Sequence, residues 1–104
     1  MKVYISGAIT GTNDYITRFA AAEEYLTSMG HKVFNPARIN SQLPDGTSYE
    51  EYMSVSLCLL DLCSAIYMLD GWDHSCGANR EFGYAVAKGK ILLFQALDGS
   101  TEKR

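Results

Sequence analysis

In the stretch GWDHSCGANREFGYA, residues 71 to 85, one acidic side chain stands where helix chemistry alone gives it little reason to be. Ser75 is a natural N-cap for the helical run that follows, and a capping-box acid would then fall at position 78, which is alanine. Glu81 lies in the second turn instead, where the helix dipole has largely faded. The residues four and three positions before it on the same face are Gly77 and Ala78, both too small to cover a carboxylate, so a ligand is able to approach its oxygens. An approachable carboxylate acts as the nucleophile at a sugar carbon in retaining glycosidases. A glutamate that only solvates a helix face fits the same positions, and the residues by themselves leave both readings open.

The other candidates cluster in two more stretches. SGAITGTND, residues 6 to 14, has glycines that let backbone N–H groups approach an anion ahead of a helix N-terminus. It matches neither the dinucleotide fingerprint nor the P-loop, and a plain strand-to-helix turn explains the same residues. The hydroxyls of Ser6, Thr10 and Thr12 suit sugar or phosphate oxygens better than a metal. Tyr4 is either core or the donor to a nearby carboxylate. Asn35 closes the second predicted strand and opens the next loop. Trp72, the sole tryptophan, is placed to stack on a planar ring or to serve in lid packing or a subunit contact. His31 and His74 lack partner ligands at metal spacing, and no Ser/His/Asp order or Cys/His pair is present. The three cysteines, Cys58, Cys63 and Cys76, show no CxxC or zinc spacing and are expected to be reduced. Neither a metal nor a cofactor is expected.

The elements that must hold these residues follow from periodicity. Val3-Tyr4-Ile5 reads as a strand running into Gly7, and Tyr15, Phe19, Ala22, Leu26 and Met29 mark one face of a helix ended by Gly30. HKVFNPA is a second strand halted by Pro36, followed by a polar loop, RINSQLPDGTS. Ser48 with Glu51 spells a capping box before a helix carrying Met53, Leu57 and Leu60. AIYML reads as a strand buried on both faces, the Ser75 helix runs to about Lys88, and KILLFQAL supplies a fourth strand before a polar tail. Strand and helix alternate throughout, which predicts an α/β fold: a parallel sheet of four to five strands with helices on both faces. In such a sheet the three stretches named above fall outside the carboxyl ends of the strands, where ligands bind.

Length and composition narrow the partners. The chain has 104 residues, enough for one domain with a real core, and its 47% hydrophobic content is that of an ordinary globular protein. A net charge of -3 without a basic stripe argues against a nucleic-acid polymer. No apolar run approaches the roughly 20 residues of a membrane span. No apolar signal-peptide core follows Met1-Lys2, so the expected location is the cytoplasm.

VYISGAITG, LTSMGHKVFNPA, YMSVSLCLLDLCSAIYML and GWDHSCGANREFGYAVAKG together resemble the nucleoside 2-deoxyribosyltransferase superfamily, in particular its short, often phage-borne branch related to 2′-deoxynucleoside 5′-phosphate N-hydrolases. The resemblance runs from about residue 2 to residue 94, and its most specific element is Ser-x-Gly-x-x-x-Glu from Ser75 through Gly77 to Glu81. It implies a flavodoxin-like fold and cleavage of an N-glycosidic bond in a nucleoside, nucleotide or related ribosyl compound. By that match Glu81 attacks C1′, Tyr4 orients it, and water or a second base takes the sugar. Ser6, Gly7, Ala8, Thr10, Asn35, Trp72, Ser75 and Gly77 are the substrate contacts expected around it. The resemblance also implies a homodimer or larger homo-oligomer in which a neighbour completes the site. Three positions depart from the pattern: Ser56 stands where the family commonly has an aspartate that helps protonate the leaving base, Ser64 replaces a common aspartate before the third strand, and Thr10 falls where some monophosphate hydrolases carry arginine. Those departures favour a second expectation, a protein that binds a nucleotide-derived molecule without consuming it.

Overall fold

In the computed structural model of the chain the described residues are 1–9, 12–96 and 101–103. Strands β1 (Lys2–Ser6), β2 (Lys32–Phe34), β3 (Ala65–Met68) and β4 (Ile91–Gln95) are parallel, and β5 (Thr101–Lys103) adds an antiparallel edge beside β4. The order across the sheet is β2-β1-β3-β4-β5. Helices α1 (Tyr15–Ser28), α2 (Pro36–Asn40), α3 (Tyr49–Asp61) and α4 (Cys76–Ala87) connect them. This is the α/β, flavodoxin-like arrangement expected from the alternating pattern.

The two-residue repeat of a strand decides which helix meets which side chain. Val3 and Ile5 of β1, with Ala65, Tyr67, Leu69 and Leu93, pack against Phe19, Ala22 and Leu26 of α1. Tyr4 points the other way, and joins Ile66, Met68 and Phe94 against Leu60 of α3 and Ala78 and Ala85 of α4. Two residues beyond Tyr4, Ser6 belongs to the same face. The connection leaving β1 therefore goes to one side of the sheet and the connection leaving its neighbour β3 goes to the other. A crevice opens between them at the carboxyl ends of the strands, at the switch point of the topology.

Local chemistry sets the helix ends. Ser48 and Glu51 form both arms of the capping box: the Glu51 N–H donates to Ser48 Oγ at 3.1 Å and the Ser48 N–H donates to Glu51 Oε1 at 2.8 Å. Ser75 Oγ accepts from the Ala78 N–H at 3.2 Å and caps α4. Gly30 and Gly89 close α1 and α4 with φ of 90° and 70°, the left-handed conformation that favours glycine.

Three expectations need correction. Pro36 does not lead into a loop but opens α2, because its fixed φ suits a first helical turn and Asn35 Oδ1 caps it by accepting from the Arg38 N–H at 3.2 Å. Met29 is not on the buried face of α1; it is the C-cap, 60% exposed, because the helix has already ended at Ser28. The polar tail contains a strand, β5, whose pairing with β4 depends on backbone hydrogen bonds that hydropathy does not register.

Gly7 has a packing reason distinct from ligand approach. A Cβ there would lie 2.8 Å from Leu69 Cδ1 and 3.0 Å from Leu69 Cβ, and Leu69 is fully buried. Gly7→Ala is expected to lower the unfolding free energy by about 1–3 kcal/mol, the usual cost of overpacking. Urea denaturation measures it, and a double-mutant cycle with Leu69→Val is expected to show favourable coupling.

Candidate functional site

Above the carboxyl end of β1 lies a cavity of about 670 Å³. Tyr15 and Phe19 of α1 form one wall, Pro36, Ala37 and Asn40 of α2 a second, and Tyr49, Tyr52, Met53 and Ser56 of α3 a third. The N-terminal end of α4 supplies Ser75, Gly77, Ala78 and Glu81.

Glu81 is only 7% exposed, yet it contributes to the cavity surface. Each of its oxygens accepts a short hydrogen bond from β1: Tyr4 Oη donates to Oε2 at 2.5 Å and Ser6 Oγ donates to Oε1 at 2.6 Å. Burial disfavours the charged carboxylate and raises the Glu81 pKa, while the Ser6 and Tyr4 hydroxyls pull the other way. Burial, and then the charge of Glu81, push the Tyr4 phenol well above its ordinary value, so Tyr4 remains a donor throughout the neutral range. Ser56 is 4% exposed, and its Oγ accepts from Asn40 Nδ2 at 3.4 Å.

Of the residues singled out in the sequence, Tyr4, Gly7, Ser75, Gly77 and Glu81 meet at the cavity, and Ser6 joins them through its bond to Glu81. A Cβ on Gly77 would sit 3.5 Å from Met53 Sδ and from Tyr49 Oη, ordinary contact distances, so packing does not require glycine there. Its bareness leaves cavity volume open beside Ser75. Ala8 is not part of the wall, and Thr10 lies outside the described residues.

Asn35 and Trp72 are elsewhere. Besides capping α2, Asn35 donates from Nδ2 to Glu23 Oε1 at 3.0 Å, and Arg38 pairs with the same carboxylate at 2.9 Å. That cluster fixes α2 to α1, so Asn35 holds a cavity wall in place without forming its surface. Trp72 opens a single 3-10 turn, Trp72–His74, after Gly71 at φ 82°. Its ring lies 4.7 Å from Phe82 and 6.3 Å from Phe94, in the core between α4 and the sheet. The aromatic surface its sequence position suggested is supplied by Tyr15, Tyr49 and Tyr52 instead.

Sequence reasoning missed these three tyrosines and Asn40. Tyr15 shares spacing with true core residues of α1, and Tyr49 and Tyr52 fall just inside the Ser48 cap, at the end of α3 that faces the crevice. That last signal was available in the capping box. Tyr49 is anchored from outside by Arg80, whose guanidinium lies 5.6 Å from its ring and bonds both oxygens of Glu50 at 2.9 and 3.2 Å. His74 reaches the cavity rim with its side chain 85% exposed. Cys58, Cys63 and Cys76 are free, and burial pushes the Cys63 thiol up to about 11. Among the described residues no three His, Cys, Asp or Glu side chains gather as metal ligands, and no helix is long and apolar enough to cross a membrane.

A family model described as a domain of unknown function, DUF4406, matches residues 1–94. The chain belongs to the DUF4406 family. No curated protein matches its sequence. Its fold is similar to that of a 2-deoxyribosyltransferase from the psychrotolerant bacterium Bacillus psychrosaccharolyticus, characterised as a biocatalyst for the synthesis of antiviral and antitumoral nucleosides. The TM-score is 0.73 at 20% identity, over 90% of this chain and 71% of the other. At that identity the two share a fold, and the chemistry of this DUF4406 chain has to be argued from its own residues.

The Glu81 environment has a measurable consequence for stability. Because the folded-state pKa is raised, the native protein binds more protons than the unfolded chain as pH rises from the ordinary carboxylate range to the native value. Stability therefore falls across that window and the penalty is fully present above it. Glu81→Gln, which keeps the shape and removes the charge, is expected to raise the Tm by a few degrees at pH 7.5, since about 1 kcal/mol moves a domain of this size by ~4 °C or more. Thermal melts are expected to show the gain shrinking as pH falls through that window and vanishing in the ordinary carboxylate range.

Proposed function

We propose that the protein cleaves the N-glycosidic bond of a nucleoside or nucleotide, with Glu81 as the nucleophile and a covalent glycosyl ester as the intermediate. The observation that carries this reading is the carboxylate itself: it is buried at the foot of a nucleoside-sized cavity and oriented by two hydroxyls on adjacent same-face positions of one strand. A carboxylate used only for solubility has no need of such a seat. The likeness in fold to an enzyme named for 2-deoxyribosyl transfer supports the same substrate class.

In the first step a Glu81 oxygen bonds to C1′ as the C1′–N bond breaks, and the bonding pair leaves with the base, which takes up a proton. In the second, water or the nitrogen of another base attacks C1′ and gives up a proton to solvent, the ester bond breaks with its pair returning to the glutamate, and Glu81 is regenerated as a carboxylate. Tyr4 and Ser6 hold the carboxylate in line and temper its charge until attack. Ser75 and the open space at Gly77 accommodate the sugar and its 5′ substituent, with the Tyr15, Tyr49 and Tyr52 rings alongside the base.

A second reading is favoured by one feature. Glu81 is the single carboxylate on the cavity wall among the described residues, and Ser56, also on that wall, stands where the resemblance implies an acid that protonates the departing base. A serine hydroxyl does not donate a proton as a carboxylic acid does, and loss of general acid catalysis costs about 100- to 10,000-fold. A protein so built retains its ligand better than it turns it over. In the homo-oligomer expected from the resemblance, a neighbouring subunit is the remaining source of an acid.

Incubation with a panel of nucleosides and their 5′-monophosphates, followed by chromatography of free base, separates the readings. Catalysis is expected to release base at a rate that Glu81→Ala abolishes, with mass spectrometry detecting a glycosyl adduct on wild type alone. Tyr4→Phe is expected to lower turnover about 10- to 100-fold, a loss of one to two hydrogen-bond equivalents. Turnover falls on the acid side as Glu81 becomes protonated, and the raised pKa places that limb above the ordinary carboxylate value. Stoichiometric ligand recovery with no base released sinks the catalytic reading and leaves the binder.

A further inference from the structure

Tyr49, the first residue of α3, lines the cavity and is nevertheless 49% exposed. A ring so placed belongs to the wall and to the surface at once, and core packing does not fix it. Its hydroxyl points to a definite place on α4. A Cβ on Gly77 would lie 3.5 Å from Tyr49 Oη and 3.9 Å from Ser75 Oγ, with Met53 Sδ beside them at 3.5 Å. The bare face of Gly77 therefore looks out between two hydroxyls, one from each helix. This is the part of the wall that receives the sugar in the N-glycosidic reading, and a pentose oxygen there meets two groups that both donate and accept. The ring lies along the base while its hydroxyl reaches the sugar end.

What holds that ring comes from outside the cavity. The Arg80 guanidinium lies 5.6 Å from the Tyr49 ring centroid, within cation–π range, and donates to Glu50 Oε2 at 2.9 Å and to Oε1 at 3.2 Å. Glu50 follows Tyr49 in the chain, and Arg80 precedes Glu81. The clamp thus ties the first turn of α3, which carries the ring, to the helix that carries the carboxylate, and Arg80 itself is not on the cavity wall. Bonding both carboxylate oxygens fixes the plane of the guanidinium, which a lysine ammonium does not do. Both partners are exposed, so the clamp is open to screening by salt.

We propose that Tyr49 closes the cavity over the sugar, bonding a pentose oxygen together with Ser75, and that Arg80 is the positioning residue that keeps its ring in place. This rests on the nucleoside reading of the cavity, and it needs binding alone and not turnover.

The test is calorimetric titration of the full chain with 2′-deoxyadenosine and with thymidine, each beside its free base, the tighter-bound pair being carried forward to the variants. Tyr49→Phe keeps the ring and removes one hydrogen bond. It is expected to weaken the deoxynucleoside about 3- to 10-fold and to leave the free base within about twofold. Arg80→Met, which keeps the stem and removes the charge, is expected to weaken the deoxynucleoside about two- to fivefold with the same indifference toward the base, and Arg80→Lys to recover part of that loss. Raising the ionic strength from about 20 mM to about 500 mM is expected to weaken the uncharged deoxynucleoside about twofold in wild type and to have no effect in Arg80→Met. Circular dichroism is expected to show native folds, since both side chains lie at the surface. A Tyr49→Phe protein that binds the deoxynucleoside as wild type does, or loses deoxynucleoside and base in equal measure, overturns the closure. An Arg80→Met protein that matches wild type overturns the positioning role. In either case a wild type that binds deoxynucleosides and releases base keeps the N-glycosidic reading, whereas a wild type that binds neither nucleoside sinks both.

Discussion

A carboxylate taken out of water must be answered by donors, and nearly everything at the working end of this molecule follows from how Glu81 is answered. Among the described residues no cation pairs with it; its partners are two neutral hydroxyls, Tyr4 and Ser6. An ion pair would have held the charge more firmly but would also have lowered its readiness to form a new bond. Neutral donors leave the group partly unsatisfied, with a raised pKa that records the imbalance. The donors come from one strand because a strand repeats every two residues, and β1 is the strand at which the topology changes sides. A single element thus supplies both hydroxyls and the floor of the cavity.

The remaining walls are held by contacts outside the cavity. Asn35, Glu23 and Arg38 join α2 to α1, the Ser48 capping box fixes where α3 begins, and Arg80 reaches from α4 to Glu50 and the ring of Tyr49. These are exposed or half-exposed polar contacts of the kind that contribute little to global stability. Their value is positional, since each sets the angle of a helix end whose first or last residue faces the crevice. The fold proper is stabilised by the two apolar clusters on either side of the sheet.

The extent to which this was readable from the sequence follows the range of the interactions. Strands β1 to β4 and helices α1, α3 and α4 were readable because periodicity, the Ser48–Glu51 box and Ser75 are local signals. Glu81 stood out because its local surroundings failed to explain it, and the structure seats it, buried, at the cavity. The small helix α2 was missed because Pro36 is equally a strand-stopper and a helix-opener, and only the placement of Asn35 decides between them. Trp72 was misplaced for a tertiary reason: whether an aromatic in a glycine-flanked turn faces the crevice or the core depends on Phe82 and Phe94, which reach it from another helix and another strand. Tyr49 and Tyr52 were hidden because helical spacing does not distinguish a face turned to the core from one turned to a cavity.

Glu81 and the side chains of the α2 and α3 walls are carried by different elements, and this shapes what substitution is able to change. Glu81, Tyr4 and Ser6 sit on α4 and β1, in the centre of the molecule, where any change of volume disturbs both apolar clusters. Ser56 and Asn40 sit on α3 and α2, on the cavity wall, and bond to one another and not to Glu81. The serine at position 56 therefore lies outside the hydrogen bonds that seat the carboxylate. Substitution on that wall is able to reshape the cavity while the two hydroxyls of β1 continue to hold the Glu81 carboxylate.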